Sequence, residues 1–140
     1  MAAVIDSNLL IVLATDDPRK PLVEAQFDFW EAEDEELHAP SLIRYEIANA
    51  FTRLVTAGAI NEAQMTEAWE KATAVPVTLH ELRDGPGAVK IAVRLRRQSA
   101  YDAAYIALAK TLETHVWTLD GRLARNAAGS GLPVRLVEAR

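Results

Sequence analysis

Four acidic residues stand at points of the sequence where their carboxylates could act together. Asp6 and Asp120 each directly follow a short apolar run, which is typical of a buried strand. In an open parallel sheet, ligands bind beyond the carboxyl ends of the strands, so two such aspartates indicate a shared acidic site. Glu46 falls on the apolar side of a helical stretch, and Asp102 lies at the start of another.

The donor chemistry of these acids favours a hard divalent cation. The sequence has no cysteine, and its histidines are scattered. Carboxylates that converge without arginine partners repel one another, and oxygen ligands suit Mg²⁺ or Mn²⁺ better than Zn²⁺. Such an ion can deprotonate a water and neutralise charge on a phosphoryl oxygen. The four acids therefore predict a metal-dependent site for phosphodiester cleavage.

Each acid also has a purely structural interpretation. Asp6 could cap the helix that follows it, and Asp120 precedes a glycine, as in a turn or helix cap. Asp102 is the third residue after Ser99, which spells a capping box. Glu46 could form a buried salt bridge with an arginine such as Arg53. These alternatives stay open for each residue alone; four separate accidents are a weaker explanation than one site.

The elements that must position these acids alternate between strand and helix. This pattern predicts an α/β fold in which residues 1–140 form one domain around a mostly parallel sheet of about five strands. The predicted strands contain Val4-Ile5, Leu37–Pro40, Val75–Leu79 (an edge strand because of Pro76), Val116–Thr118 and Pro133–Val137.

Helix boundaries follow from capping and breaking residues. Ser7 and Asn8 are candidate caps, and Pro18 suits the first turn of the next helix. Pro40 is expected to end its strand. Further helices are predicted from Ser41 to about Ala57 with Gly58 as the stop, from Asn61 onward, from Pro86 to Arg97, from a Ser99 cap to Leu112, and after Asp120.

Composition excludes several classes of protein. The chain of 140 residues is 50% hydrophobic and 25% charged, which is typical of a globular protein. It contains no apolar run of membrane-spanning length and no secretory signal pattern, so we expect a cytoplasmic protein without a membrane partner. A net charge of −5 argues against a uniformly basic nucleic-acid binder, but it leaves room for a nuclease with local basic patches.

Four segments together resemble the PIN-domain family, and within it the VapC-type ribonuclease toxins of prokaryotic toxin–antitoxin pairs. They occur in the family's order and span nearly the whole chain: Val4–Asn8, Leu42–Ala50, Ser99–Ala109 and Trp117–Ala124. The resemblance implies that Asp6, Glu46, Asp102 and Asp120 form an acidic metal-binding quartet. It also implies a PIN-like (Rossmann-like) α/β/α sandwich, cleavage of single-stranded RNA, a homodimer, and inhibition by a cognate antitoxin.

Other residues are candidates for supporting roles. Thr118 could hold the attacking water or a ligand carboxylate, or it could be an ordinary strand threonine, and Asn8 is a candidate support beside Asp6. An acidic protein must still hold RNA, and four arginines near the site in sequence could contact phosphates, although each could also lie on a solvated helix face: Arg94, Arg96, Arg97 and Arg122. Tyr105 could stack on a base, but core packing or a dimer contact is the better interpretation.

Rival functions come from other classes. Haloacid-dehalogenase-like phosphatases also place an aspartate after the first strand, but they need a second acid two residues later, where this chain has Asn8. A phospho-acceptor receiver domain would need an acidic pair and a late lysine, and neither pattern is clean. The alternative outside enzymology is a catalytically weak PIN-fold module that binds RNA or a protein partner.

Overall fold

A computed structural model describes residues 1–97 and 100–139 and has a five-stranded parallel sheet at its centre. The strands are β1 (Ala2–Ile5), β2 (Glu36–Pro40), β3 (Thr78–His80), β4 (Val116–Thr118) and β5 (Val134–Leu136). The helices are α1 (Ser7–Ala14), α2 (Lys20–Ala32), α3 (Leu42–Thr56), α4 (Glu62–Ala74), α5 (Gly85–Arg94), α6 (Tyr101–Thr111) and α7 (Gly121–Gly129). The predicted fold class is confirmed.

Strand β1 lies in the middle of the sheet, whose order is β3-β2-β1-β4-β5. Its residues Val4 and Ile5 are fully buried, as expected for a strand covered on both faces. Val4 pairs with Val116, and Ile5 pairs with Trp117, in parallel register. The carboxyl ends of β1 and β4 therefore lie side by side at one edge of the sheet.

Helices α3 and α6 pack beside this edge through apolar faces. Helix α3 buries Ile43, Ile47 and Phe51 at helical spacing, and Phe51 meets Trp69 of α4 in an edge-to-face contact with ring centroids 6.5 Å apart. Helix α6 buries Ala103, Tyr105, Ile106 and Ala109. Because both helices face the core, polar side chains on these faces are carried inward with them.

Several predicted boundaries were wrong. The cap of α1 is Asp6, whereas Ser7 is already the first helical residue. The proline in the first turn of α2 is Pro21, because the helix begins only at Lys20, after Pro18. Strand β2 ends at Pro40 as expected, but Pro40 does not stop the ladder, because it pairs with His80 and the amide of the following Ser41 donates to the His80 carbonyl at 2.8 Å.

Other boundary predictions hold in part. Gly58 follows the end of α3 with a φ of +73°, and Asn61 caps α4 in a complete capping box. Ser41 occupies the cap position of α3, but its side chain makes no capping bond. Strand β3 lies at an edge as predicted, although it begins at Thr78, three residues later than Val75. The predicted Ser99 cap lies outside the described residues.

Helix α5 ends three residues before the predicted Arg97. Arg96 adopts a left-handed φ of +57°, and the Arg97 amide donates back to the Ala92 carbonyl at 3.0 Å, which closes the end of the helix. The chain therefore turns at Arg96 before it reaches α6. In the described part of the chain, no helix is long and apolar enough to cross a membrane.

Candidate active site

Asp6 caps α1 and also faces the end of β4. Its Oδ1 accepts a hydrogen bond from the Ser7 amide at 2.7 Å, and its Oδ2 accepts one from the Thr118 hydroxyl at 2.7 Å. The cap interpretation is thus correct for this residue, but it accounts for only one of the two carboxylate oxygens. The other oxygen is directed across the sheet edge.

Thr118 and Asn8 connect the two strand ends. The fully buried Thr118 hydroxyl accepts hydrogen bonds from the Asn8 amide and from the Asp120 backbone amide, each at 3.0 Å, while it donates to Asp6. The Asn8 side-chain oxygen accepts from the Leu119 amide at 3.2 Å. This network fixes the β1–α1 junction against the end of β4, so the two predicted supporting residues contact the acid that they were expected to support.

Glu46 points from α3 toward α6, where its Oε1 accepts a hydrogen bond of 2.5 Å from the Tyr105 hydroxyl. Burial raises the pKa of Glu46, the Tyr105 bond opposes that rise, and the charge of Asp102 adds to it. Within residues 1–97 and 100–139, Glu46 forms no ion pair, with Arg53 or any other cation. The carboxylate is therefore held by neutral donors.

Asp102 lies in the first turn of α6, where the guanidinium Nε of Arg97 approaches its Oδ2 at 3.5 Å. Burial nevertheless raises the pKa of Asp102; the nearby Arg97 lowers it and the charge of Asp120 raises it. Asp120 caps α7, with its Oδ1 accepting from the Leu123 amide at 3.0 Å, and it is exposed.

The four carboxylates come from four elements and influence one another electrostatically. The pKa of Asp6 is raised to about 6 by burial, against the Thr118 hydrogen bond, and further by the charges of Glu46 and Asp102. No three carboxylate or histidine side chains in the described ranges are already gathered closely enough to hold a metal ion. The site is thus an acidic cluster with fewer positive than negative side chains. Its carboxylates would have to move closer together to bind a cation.

The predicted phosphate-binding arginines occupy different positions. Arg97 is at the acidic cluster. Arg94 instead bonds through its guanidinium to the Ser130 carbonyl at the end of α7. Arg96 and Arg122 are exposed, the latter in the first turn of the helix that Asp120 caps.

The contact between Tyr105 and Glu46 was not predicted from the sequence. Tyr105 is 2% exposed and follows Asp102 by three residues on α6, so both side chains lie on the same side of that helix. This spacing was the available signal. It did not reveal the partner, because Glu46 is 59 residues away in the chain.

Comparison with known proteins gives consistent similarities. The PIN domain family model matches residues 3–129. Ribonuclease VapC3 from Mycobacterium tuberculosis (strain CDC 1551 / Oshkosh) is 36% identical over 92 residues, which cover 64% of this chain and 64% of that relative. The match thus spans just under two thirds of the length of the mycobacterial protein. Ribonuclease VapC3 from Pyrobaculum aerophilum is 30% identical over 131 residues, covering 89% of this chain and 93% of that protein.

A solved structure extends the similarity to the whole fold. The crystal structure of VapBC2 from Rickettsia felis bound to a DNA fragment from their promoter superposes with a TM-score of 0.71. The superposition covers 99% of this chain and 100% of that one, at 8% sequence identity. At this identity the similarity concerns the fold alone.

Proposed function

We propose that this chain, which belongs to the PIN domain family, is an endoribonuclease that requires Mg²⁺ or Mn²⁺. The observation that carries this proposal is the electrostatic influence among Asp6, Glu46, Asp102 and Asp120 where β1 and β4 end, with Arg97 as the basic side chain that pairs with Asp102 in the described structure. The relatives from Mycobacterium tuberculosis and Pyrobaculum aerophilum are named ribonucleases, which supports RNA as the substrate.

The donor set fits a hard divalent ion. Asp6, Glu46, Asp102 and Asp120 offer carboxylate oxygens; burial and, to a smaller extent, the charges of Glu46 and Asp102 raise the pKa of Asp6, and a cation would offset both. We assign these four residues to holding one or two ions. A bound ion supplies a water that is deprotonated near neutral pH and neutralises negative charge on the scissile phosphate.

The chain's own residues would prepare this site. Thr118 and Asn8 hold the Asp6 carboxylate in place through the hydrogen bonds described above. Of the two roles considered for Thr118, orienting a ligand carboxylate is the one that its contacts favour. Arg97 is close enough to the acids to contact a phosphate that approaches them, and the exposed Arg96 and Arg122 are placed to contact the RNA backbone.

Single-stranded RNA is the substrate class we propose, with an antitoxin as the controlling partner in the cytoplasm. The structure of VapBC2 from Rickettsia felis supports a toxin role, because a chain of that VapBC pair has the same fold. A second copy of the chain is the further partner that we propose. Val89 and Val93 support it, because they lie one turn apart on α5 and are 55% and 68% exposed.

The experiment that tests this function is cleavage of a panel of single-stranded RNAs by the purified protein with Mn²⁺, Mg²⁺ or EDTA. We expect cleavage with either ion and none with EDTA. Glu46→Gln is expected to lower the rate by about 100-fold, because it removes one charge from the cluster. Glu24→Gln, on an exposed position of α2, is the matched control and should cleave like the wild type.

Equal cleavage by the wild type and Glu46→Gln would show that the acidic cluster is not the catalytic site. RNA binding without cleavage, with every RNA and both ions, would favour the alternative of a binding module.

A further inference from the structure

Glu46 is held in a half-buried position by a hydroxyl group and not by a cation. The Tyr105 hydroxyl donates to its Oε1 at 2.5 Å, and the nearby Ser7 side chain lowers the pKa of both Glu46 and Tyr105. We propose that Tyr105 is a positioning residue that holds Glu46 for cation binding, with Ser7 as the secondary support. This inference rests on the proposed function of the acidic site.

Tyr105 restricts the conformations of the Glu46 side chain. A glutamate side chain has three rotatable bonds, and at a half-buried position solvation favours conformations that take the charge outward. Tyr105 is 2% exposed, so its ring is fixed by the packing of α6 against the sheet. Its hydroxyl therefore presents a donor at a fixed point, which keeps the Glu46 carboxylate turned toward Asp6 and Asp102.

Tyr105 holds Glu46 without neutralising its charge. A lysine or arginine at this place would neutralise Glu46 and compete with a metal ion for it. A tyrosine hydroxyl donates without adding charge. The ordinary pKa of a tyrosine, about 10, keeps such a hydroxyl protonated at neutral pH, so it remains a donor.

Tyr105 contacts one particular carboxylate oxygen of Glu46. Oε1 of Glu46 is engaged by Tyr105, which leaves Oε2 as the oxygen without a tyrosine contact. Tyr105 therefore both orients the carboxylate and distinguishes its two oxygens. Hydrogen bonds of this kind to a ligand group typically change metal affinity or activity by about 10–100-fold when they are removed.

The test is calorimetric titration of Mn²⁺ into wild type and Tyr105→Phe, which keeps the ring and removes the hydroxyl. We expect Mn²⁺ binding to weaken by about 10–100-fold in the variant. Tyr101→Phe, on the same helix with a 59% exposed side chain, is the matched control and should bind Mn²⁺ like the wild type. In a Glu46→Gln background, Tyr105→Phe should cause no further weakening, because its partner carboxylate is gone.

Three outcomes overturn the proposal. Wild-type Mn²⁺ affinity in Tyr105→Phe would show that the hydroxyl has only a structural role. The same weakening in both the wild-type and Glu46→Gln backgrounds would show that Tyr105 does not act through Glu46. Failure of the wild type itself to bind Mn²⁺ would identify an error in the proposed function, and the positioning role would fall with it.

A melting curve for each variant ensures that folded proteins are compared. If Tyr105→Phe does not fold, Ser7→Ala removes the hydroxyl proposed as the secondary support and should still weaken Mn²⁺ binding several-fold. Unchanged Mn²⁺ affinity in Ser7→Ala would then count against the proposal.

Discussion

Asp6→Asn is expected to lower metal-dependent RNA cleavage by at least about 100-fold and, at the same time, to stabilise the metal-free protein. The loss of cleavage follows because Asp6 is the acid at the centre of the sheet edge, in contact with Thr118 and influenced by Glu46 and Asp102. Cleavage of the RNA panel measures the first effect. Thermal or urea unfolding in EDTA measures the second.

The gain in stability follows from the pKa of Asp6. The folded state raises this pKa from 3.8 to about 6, so a carboxylate ionised at neutral pH costs up to about 3 kcal/mol of folding free energy. Asparagine avoids that cost but bonds less strongly to the Ser7 amide and to Thr118. We therefore expect a net gain of about 1–2 kcal/mol near pH 7.

The same raised pKa makes the stability of the metal-free protein depend on pH. Between pH 3.8 and about 6 the folded state of the metal-free protein holds the Asp6 proton more tightly than the unfolded state. Protonated Asp6 therefore makes its full favourable contribution to the free energy of unfolding below this window, and the contribution is lost as the pH rises through it. In Asp6→Asn this component of the pH dependence should be absent.

Asp28→Asn, at an exposed position of α2, is the control for both effects and should change neither cleavage nor stability. If Asp6→Asn cleaves RNA at the wild-type rate, Asp6 is a helix cap and nothing more. If it also destabilises the metal-free protein at neutral pH, the buried charge of Asp6 is not the cost that we assign to it.

Thr118→Val should produce the second large effect, since valine keeps the shape of the side chain and removes every hydrogen bond of the hydroxyl. The Asp6 carboxylate loses a donor at 2.7 Å, while the Asn8 and Asp120 amides lose their acceptor. We expect a loss of about 2 kcal/mol of stability and a 10–100-fold loss of cleavage.

Thr114→Val is the matched control for this variant. The Thr114 hydroxyl also makes a partly buried hydrogen bond, in this case to the Ala2 carbonyl at the start of β1, away from the carboxyl ends of the strands. We expect it to cost stability without a comparable loss of cleavage once both proteins are folded at the assay temperature. Equal losses of cleavage in the two variants would show that Thr118 contributes through stability alone.

Much of the fold could be predicted from local patterns. The short apolar runs at Val4–Ile5 and Val116–Thr118 gave the two central strands, and parallel pairing then placed Asp6 and Asp120 at one edge. The helical spacing around Glu46 correctly indicated a side chain carried inward by α3. These features depend on residues that are close in sequence, which is why they could be read there.

Contacts between distant segments could not be predicted in the same way. The partner of Glu46 depends on how α3 and α6 pack, and the spacing on α6 alone gave no reason to choose the Tyr105 hydroxyl over an arginine. The end of α5 depends on a left-handed residue, Arg96, whose side chain does not favour that conformation. The ladder to β3 continues past Pro40 through the amide of Ser41, which no local feature of the sequence indicated.

The central claim is that carboxylates from separate elements form one cation site, and Mn²⁺ titration by calorimetry tests it most directly. We predict saturable binding to the wild type at neutral pH, at least about tenfold weaker binding to both Asp6→Asn and Asp102→Asn, and wild-type binding to Asp28→Asn. Equal Mn²⁺ affinity in all four proteins, or no binding to the wild type, would contradict the claim.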